Sequence, residues 1–133
     1  MKRITASGKR KTSVARAIIR GGSGRITINR KLHTNLQIFD RLKIEEPLRI
    51  AEKILGKIDF DILIIVRGGG EKSQIEAARV ALSRAIVNFT KNSDIEDAFS
   101  EYDRNLLVAD VRRKEAYKPG DSKARRKRQS SFR

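Results

Sequence analysis

Cysteine and tryptophan are absent from this chain, histidine occurs once, proline twice, and aromatic residues make up 5% of 133 positions. Without cysteine, disulfide staples and thiolate metal sites are excluded, which fits a reducing compartment without requiring one. The single histidine, His33, rules out two-histidine metal sites. It also has no evident nucleophile or orienting partner in sequence, so a turn or surface histidine is expected rather than a general base. The longest aliphatic run, Ile62-Leu63-Ile64-Ile65-Val66, falls far short of the roughly 20 residues a membrane span requires. No charged segment leads into an apolar stretch near residue 1, so no secretory signal is expected. A soluble, intracellular protein is anticipated.

Charge is plentiful and unevenly placed. The chain carries 31 Lys and Arg against 16 Asp and Glu, a net charge of +15. Residues 1–20 contain seven basic residues and no acidic one, and residues 112–133 contain ten basic and two acidic. The 91 residues between hold fourteen of each sign. Solubility alone gives no reason to sort charge in this way, so binding of a polyanion through both ends is expected.

Hydrophobic periodicity outlines the elements. Ile4 to Arg20 reads as a strand, although neither of its parities is cleanly apolar. Gly21-Gly22-Ser23-Gly24 then supplies a hairpin loop into the alternating strand Arg25–Asn29. A short helical stretch between Thr34 and Lys43 is ambiguous. Glu45-Glu46-Pro47 has the residues of a helix N-terminus, and Leu48, Ala51, Ile54 and Leu55 continue as its apolar stripe up to Gly56. Asp59–Arg67 is expected to be a strand lying centrally or covered on both faces. Helices are expected from Lys72 to Phe89 and, capped by Ser93 and Asp94, as far as Tyr102, with a last short strand at Leu106–Val108. The order β-β-α-β-α-α-β implies an α+β fold with helices over a small sheet. Residues 1–110 form the predicted globular domain. Residues 111–133 form an extended basic tail, with too little apolar content to fold alone.

Motif spacing argues against nucleotide chemistry. A Walker loop would need glycines where Val66 and Glu71 stand, and the dinucleotide fingerprint has Ser73 in place of its third glycine. Gly68-Gly69-Gly70 is therefore either a tight turn or a helix start whose amides hold an RNA phosphate. The acidic pairs Glu45-Glu46 and Asp59/Asp61 suit a helix start and a strand entry, no metal-ligand spacing stands out, and neither catalysis nor a cofactor is expected. Lys9, Arg10 and Lys11 beside Thr12 and Ser13, followed by Arg16, gather cations and hydroxyls suited to phosphate. In the tail, Arg112, Arg113, Lys114, Lys118, Lys123, Arg125, Arg126, Lys127 and Arg128 are too dense for a folded face, and Tyr117 and Phe132 add rings that can stack on bases.

The segment Ser7-Gly8-Lys9-Arg10-Lys11-Thr12-Ser13-Val14-Ala15-Arg16-Ala17 resembles the opening signature of the universal small-subunit ribosomal protein nine family. The resemblance continues through Gly22–Asn29, Glu46-Pro47-Leu48, Val66–Gly70 with Gln74, Tyr102-Asp103-Arg104, Leu106–Val108 and Asp110–Arg113. It ends at Ala124-Arg125 and Gln129–Arg133. The Tyr-Asp-Arg block and the aromatic-Arg ending are similar to the archaeal and eukaryotic branch. The chain departs from the family pattern at Glu71-Lys72-Ser73 and at Phe132, where tyrosine is commoner.

This resemblance implies a ribosomal protein S5 domain 2-like fold, with four strands, helices on one face and a left-handed βαβ crossover. It implies a cytoplasmic, non-enzymatic constituent of the small ribosomal subunit that binds rRNA of the head beside neighbouring ribosomal proteins and acts in translation. Its tail would reach toward P-site tRNA, with Arg128 and Arg133 as the tRNA-proximal cations. No membrane or small-molecule partner is implied. Two other readings of the basic ends are an RNA-binding subunit of a processing ribonuclease and a nonspecific DNA-compacting protein.

Overall fold

The computed structural model describes residues 3–108. Five strands form one mixed sheet: β1 (Arg3–Arg10), β2 (Ser13–Gly21), β3 (Ile26–Ile28), β4 (Lys31–Leu32) and β5 (Phe60–Arg67). Three helices accompany it: α1 (Ile38–Leu55), α2 (Glu71–Thr90) and α3 (Ser93–Tyr102). The strand order is β1-β2-β5-β3-β4. β3 and β5 are parallel neighbours joined through α1, and the other pairings are antiparallel. The fold is α+β with its helices on one face, as expected, but with a fifth strand.

The sheet order corrects the expected hairpin. Ile4–Arg20 is two strands, turning at Lys11-Thr12 with Lys11 in the left-handed region (φ 55°). β2 then pairs with β5 rather than with β3. The physical tie is Asp61, whose Oδ1 accepts backbone N–H bonds from Ser23, Gly24 and Arg25 at 3.0, 3.1 and 2.9 Å. Gly22 N–H also donates to the Asp59 carbonyl at 2.9 Å. The glycine loop therefore bridges over the start of β5 and sets β3 down on its far side.

Three further differences follow from tertiary contacts. The ambiguous stretch and the expected short helix are one helix, α1, with Pro47 inside it and fully buried. Pro47 forfeits one backbone donor, and its burial among core side chains offsets the loss. Leu106–Val108 is not a strand: Arg104–Leu106 is a 3-10 turn. The Leu107 carbonyl accepts from Arg84 Nε at 2.8 Å, so a side chain on α2 takes the place a sheet neighbour would have. The cap of α3 is Asn92, one residue before the expected pair, and its side chain accepts from Asp94 N–H at 2.9 Å.

One face of the sheet is core. Ala6, Ala15, Ala17, Ile19, Ile26, Phe60, Ile62 and Ile64 turn toward the helices and are buried. α2 lies against β1 and β2 through Ala77, Ala78, Ala81 and Ala85, while α1 and α3 pack beside it. Small residues let backbones approach closely: a Cβ on Gly8 would come within 2.5 Å of the Ala77 carbonyl oxygen and 2.6 Å of the Ala81 nitrogen. Among the described residues no helix lies over the opposite face, so of the two expected alternatives for β5 the central position is the one found. β5 is central, but Leu63 and Ile65 on its other side are 41% and 39% exposed.

Candidate nucleic-acid interface

The two sequence segments singled out for phosphate binding meet at one end of the sheet. The Ser13 hydroxyl, fully buried, donates to the Gly68 carbonyl at 2.9 Å, and Gln74 Nε2 donates to the same oxygen at 3.1 Å. Gly68 and Gly69 are both left-handed (φ 78° and 66°), and a Cβ on Gly68 would lie 2.7 Å from the Thr12 carbonyl oxygen. Only glycine combines that conformation with that closeness. The glycine run therefore serves first as a joint between the β1–β2 turn and the start of α2, whose N-cap is Gly70.

Around this joint the nominated residues divide. Lys9, Lys11, Thr12 and Arg16 are exposed. Arg10 turns inward, its Nε 2.6 Å from Glu76 Oε2 with the side chain 14% exposed. Arg10 and Ser13 thus hold the joint together, while Lys9, Lys11, Thr12 and Arg16 present charge and a hydroxyl outward. The nominated tail residues Arg112, Arg113, Lys114, Lys118, Lys123, Arg125, Arg126, Lys127, Arg128 and Arg133 lie outside the described residues, as do Tyr117 and Phe132.

Arg16 belongs to a wider surface that sequence reading did not assemble. On the helix-free face, Val14, Arg16, Ile18 and Arg20 of β2 stand opposite Arg67, Ile65, Leu63 and Asp61 of β5. On the other side of β2, Arg3 of β1 faces Arg20, and Arg25 joins them at the start of β3. Arg3, Arg20, Arg25 and Arg67 were thus not nominated. The available signal was the parity of β2: Ala15, Ala17 and Ile19 are its core side, so the cations must share the other. Alanine is too weak a marker to make that evident without the fold.

Among the described residues, Asp61 is the one carboxylate on any strand. The three amides it accepts, Arg25's most strongly, and the charge of Arg20 hold it below the ordinary carboxylate range. Its charge is committed to the glycine loop and to Arg20 opposite it.

Electrostatics are different on the helical side. Glu45 accepts from Arg41 at 2.9 Å and from Arg49 at 3.1 Å, with His33 Nε2 3.7 Å away. The Arg41 hydrogen bond is the main reason its pKa is lowered, with Arg49 and His33 adding to it. Arg79 bridges Glu46 and Asp103, and Lys43 lies 3.6 Å from Glu76. Asp103, from the Tyr-Asp-Arg block, also accepts from Asn105 N–H at 3.0 Å. That block anchors the end of α3 to α2. His33 sits in a 3-10 turn, and no cluster of His, Asp and Glu suited to a metal occurs among the described residues.

Comparison with known proteins finds relatives along the whole sequence. The family described as ribosomal protein S9/S16 matches residues 8–133. The small ribosomal subunit protein uS9 of Methanococcus vannielii is 45% identical, and that of Methanococcus maripaludis (strain S2) 46%. The same protein of Methanothrix thermoacetophila is 42% identical, and in all three the similarity spans 100% of both chains. The match takes in both the glycine joint and the basic tail, and on that evidence the chain belongs to the ribosomal protein S9/S16 family, whose members are structural rather than enzymatic.

Proposed function

We propose that this protein is a constituent of the small ribosomal subunit that binds its rRNA in the head region. The observation that carries the proposal is the similarity to small-subunit protein uS9 over the full length of both chains. The geometry supports it. The exposed cations Lys9, Lys11 and Arg16 cluster beside a rigid glycine joint, and the neighbouring helical surface is internally neutralised.

In this account residues 1–110 are the anchor, and residues 111–133 thread into RNA. Phosphate pairing and counterion release offset the tail's loss of conformational freedom. Arg10 and Ser13 act by positioning the turn. Arg128 and Arg133 approach P-site tRNA, and neighbouring small-subunit proteins complete the surroundings in the cytoplasmic ribosome during translation. With about five to eight phosphate contacts, the log-log salt slope of rRNA binding is expected to be about −4 to −7.

The test is retrieval of the tagged full-length chain from cells, with sequencing of the RNA it retains at moderate salt. Small-subunit rRNA enriched in head-region fragments is expected, and mixed RNA or DNA without enrichment would overturn the proposal. A chain truncated after Asp121 should still enter subunits but retain less P-site tRNA. Failure to enter would contradict the division into anchor and tail.

A further inference from the structure

We infer that the helix-free face of the sheet docks the sugar–phosphate surface of double-helical RNA across its shallow groove, rather than splayed single-stranded bases. The inference rests on the rRNA-binding proposal and assigns to it a surface and a class of RNA.

Four features of the face lead there. First, its centre is aliphatic: Val14, Leu63 and Ile65 are 45%, 41% and 39% exposed, and Ile18 stands directly beside Leu63. A sheet face meant only for water carries polar residues at those positions, so a contiguous apolar strip marks a contact surface.

Second, cations flank and interrupt this strip: Arg67 stands opposite Val14 at one end, Arg16 lies between Val14 and Ile18, and Arg3, Arg20 and Arg25 gather at the other end around Asp61. None of them makes an ion pair among the described residues, in contrast to Arg79 and Arg41 across the sheet. Arg3 and Arg20 are direct cross-strand partners, a like-charge arrangement that Asp61, opposite Arg20 on its other side, offsets in part and that a polyanion would relieve further.

Third, among the described residues no aromatic side chain lies on this face. Single-strand readers stack bases on Phe, Tyr or Trp, and aliphatic side chains cannot replace those platforms. They can lie against the floor of a wide, shallow groove, as the A-form minor groove provides.

Fourth, Thr5, Ser7 and Thr27 place hydroxyls among the cations, on the exposed parity of β1 and at the middle of β3. Such groups both donate to and accept from the 2′-hydroxyls lining that groove. Along β2, Arg16 and Arg20 are about 13 Å apart at the rise of an extended strand, with Ile18 between them. The cations therefore reach phosphates on either side while the strip spans the groove.

The test uses the full-length protein against three probes: a fully paired RNA hairpin, an unstructured RNA of equal length and a DNA hairpin of equal length. The basic tail binds all three, so the readout is the preference among them. The wild-type chain should favour the RNA hairpin over both others by about tenfold or more. Arg16→Gln with Arg67→Gln should weaken hairpin binding about 30-fold, two charge-assisted phosphate contacts being lost. Single-strand affinity should stay within about threefold, because the tail is intact.

Leu63→Asp should reduce the same preference without removing a cation, and thermal unfolding of each variant reports that the fold is kept. Equal loss on the hairpin and the single strand would overturn the inference, as would wild-type preference for the single strand or equal affinity for the DNA hairpin. If the variants bind the hairpin like wild type while the wild-type chain still retrieves small-subunit rRNA from cells, the sheet-face inference alone is wrong. If that rRNA is not retrieved, the ribosomal proposal itself fails.

Discussion

Arg16 and Arg67, on the helix-free side of the sheet, have no carboxylate in ion-pair range among the described residues, whereas on the helical side Arg41 and Arg49 each have one and Arg79 has two. The contrast divides a single residue type into two jobs. Arg41 and Arg49 brace α1 through Glu45, Arg79 ties α2 to Glu46 of α1 and to Asp103, and in our proposal the strand arginines are left for an outside partner. The contrast also shows where the basic surface comes from: Arg3, Arg16 and Arg20 belong to the basic first twenty residues, and the neutral middle adds Arg25 and Arg67. Among the described residues the acids sit on helices and in loops, with Asp61 as the strand exception, and these cations lie on the face away from the helices.

The layer where the two faces are joined offers the largest perturbation. Gly8→Val inserts side-chain atoms where a Cβ already overlaps the backbone of Ala77 and Ala81. Overpacking against backbone should cost about 3 kcal/mol, read as a large drop in thermal midpoint together with loss of both RNA binding and helical packing. Arg79→Ala comes next. Its side chain is 14% exposed but its partners Glu46 and Asp103 are 34% and 38% exposed. With that screening the loss should be about 2 kcal/mol, measured by denaturant unfolding, with the salt slope of RNA binding unchanged. A fall in the slope would show that the helical arginines also touch RNA.

A smaller effect is expected from Asp61. Its pKa is lowered in the folded state, so its contribution is fully present above the ordinary aspartate range and is lost as pH falls through the lowered value. Asp61→Asn should therefore destabilise the protein at pH 7, and the gap from wild type should narrow at pH 3. Denaturant unfolding at the two pH values measures this, and a gap that stays constant would mean that the carboxylate's charge is not what holds the glycine loop.

These residues also show what could be read from sequence alone. The helices at α2 and α3, the strand β5 and the basic ends follow from periodicity and charge, which are local. The break at Lys11 does not, because a lysine takes a left-handed conformation there with neither glycine nor proline to mark it. The sheet order does not, because it depends on Asp61 reaching amides 36 to 38 residues away. Ser13 and Arg10 have the chemistry of phosphate ligands and are occupied internally by Gly68 and Glu76, partners 55 and 66 residues distant. Conversely, Arg3, Arg20, Arg25 and Arg67 are unremarkable one by one and become a surface only when β5 is set beside β2.

The most direct measurement compares two matched pairs of substitutions for their effect on the salt dependence of binding to small-subunit rRNA. Arg16→Gln with Arg67→Gln removes two unpaired strand cations, and Arg41→Gln with Arg49→Gln removes two helix cations paired to Glu45. Each phosphate contact contributes about 0.9 to the log-log slope. The strand pair should make the slope shallower by about 2, and the helix pair should leave it unchanged. Equal changes from both pairs, or a larger change from the helix pair, would contradict the division of labour between the two faces.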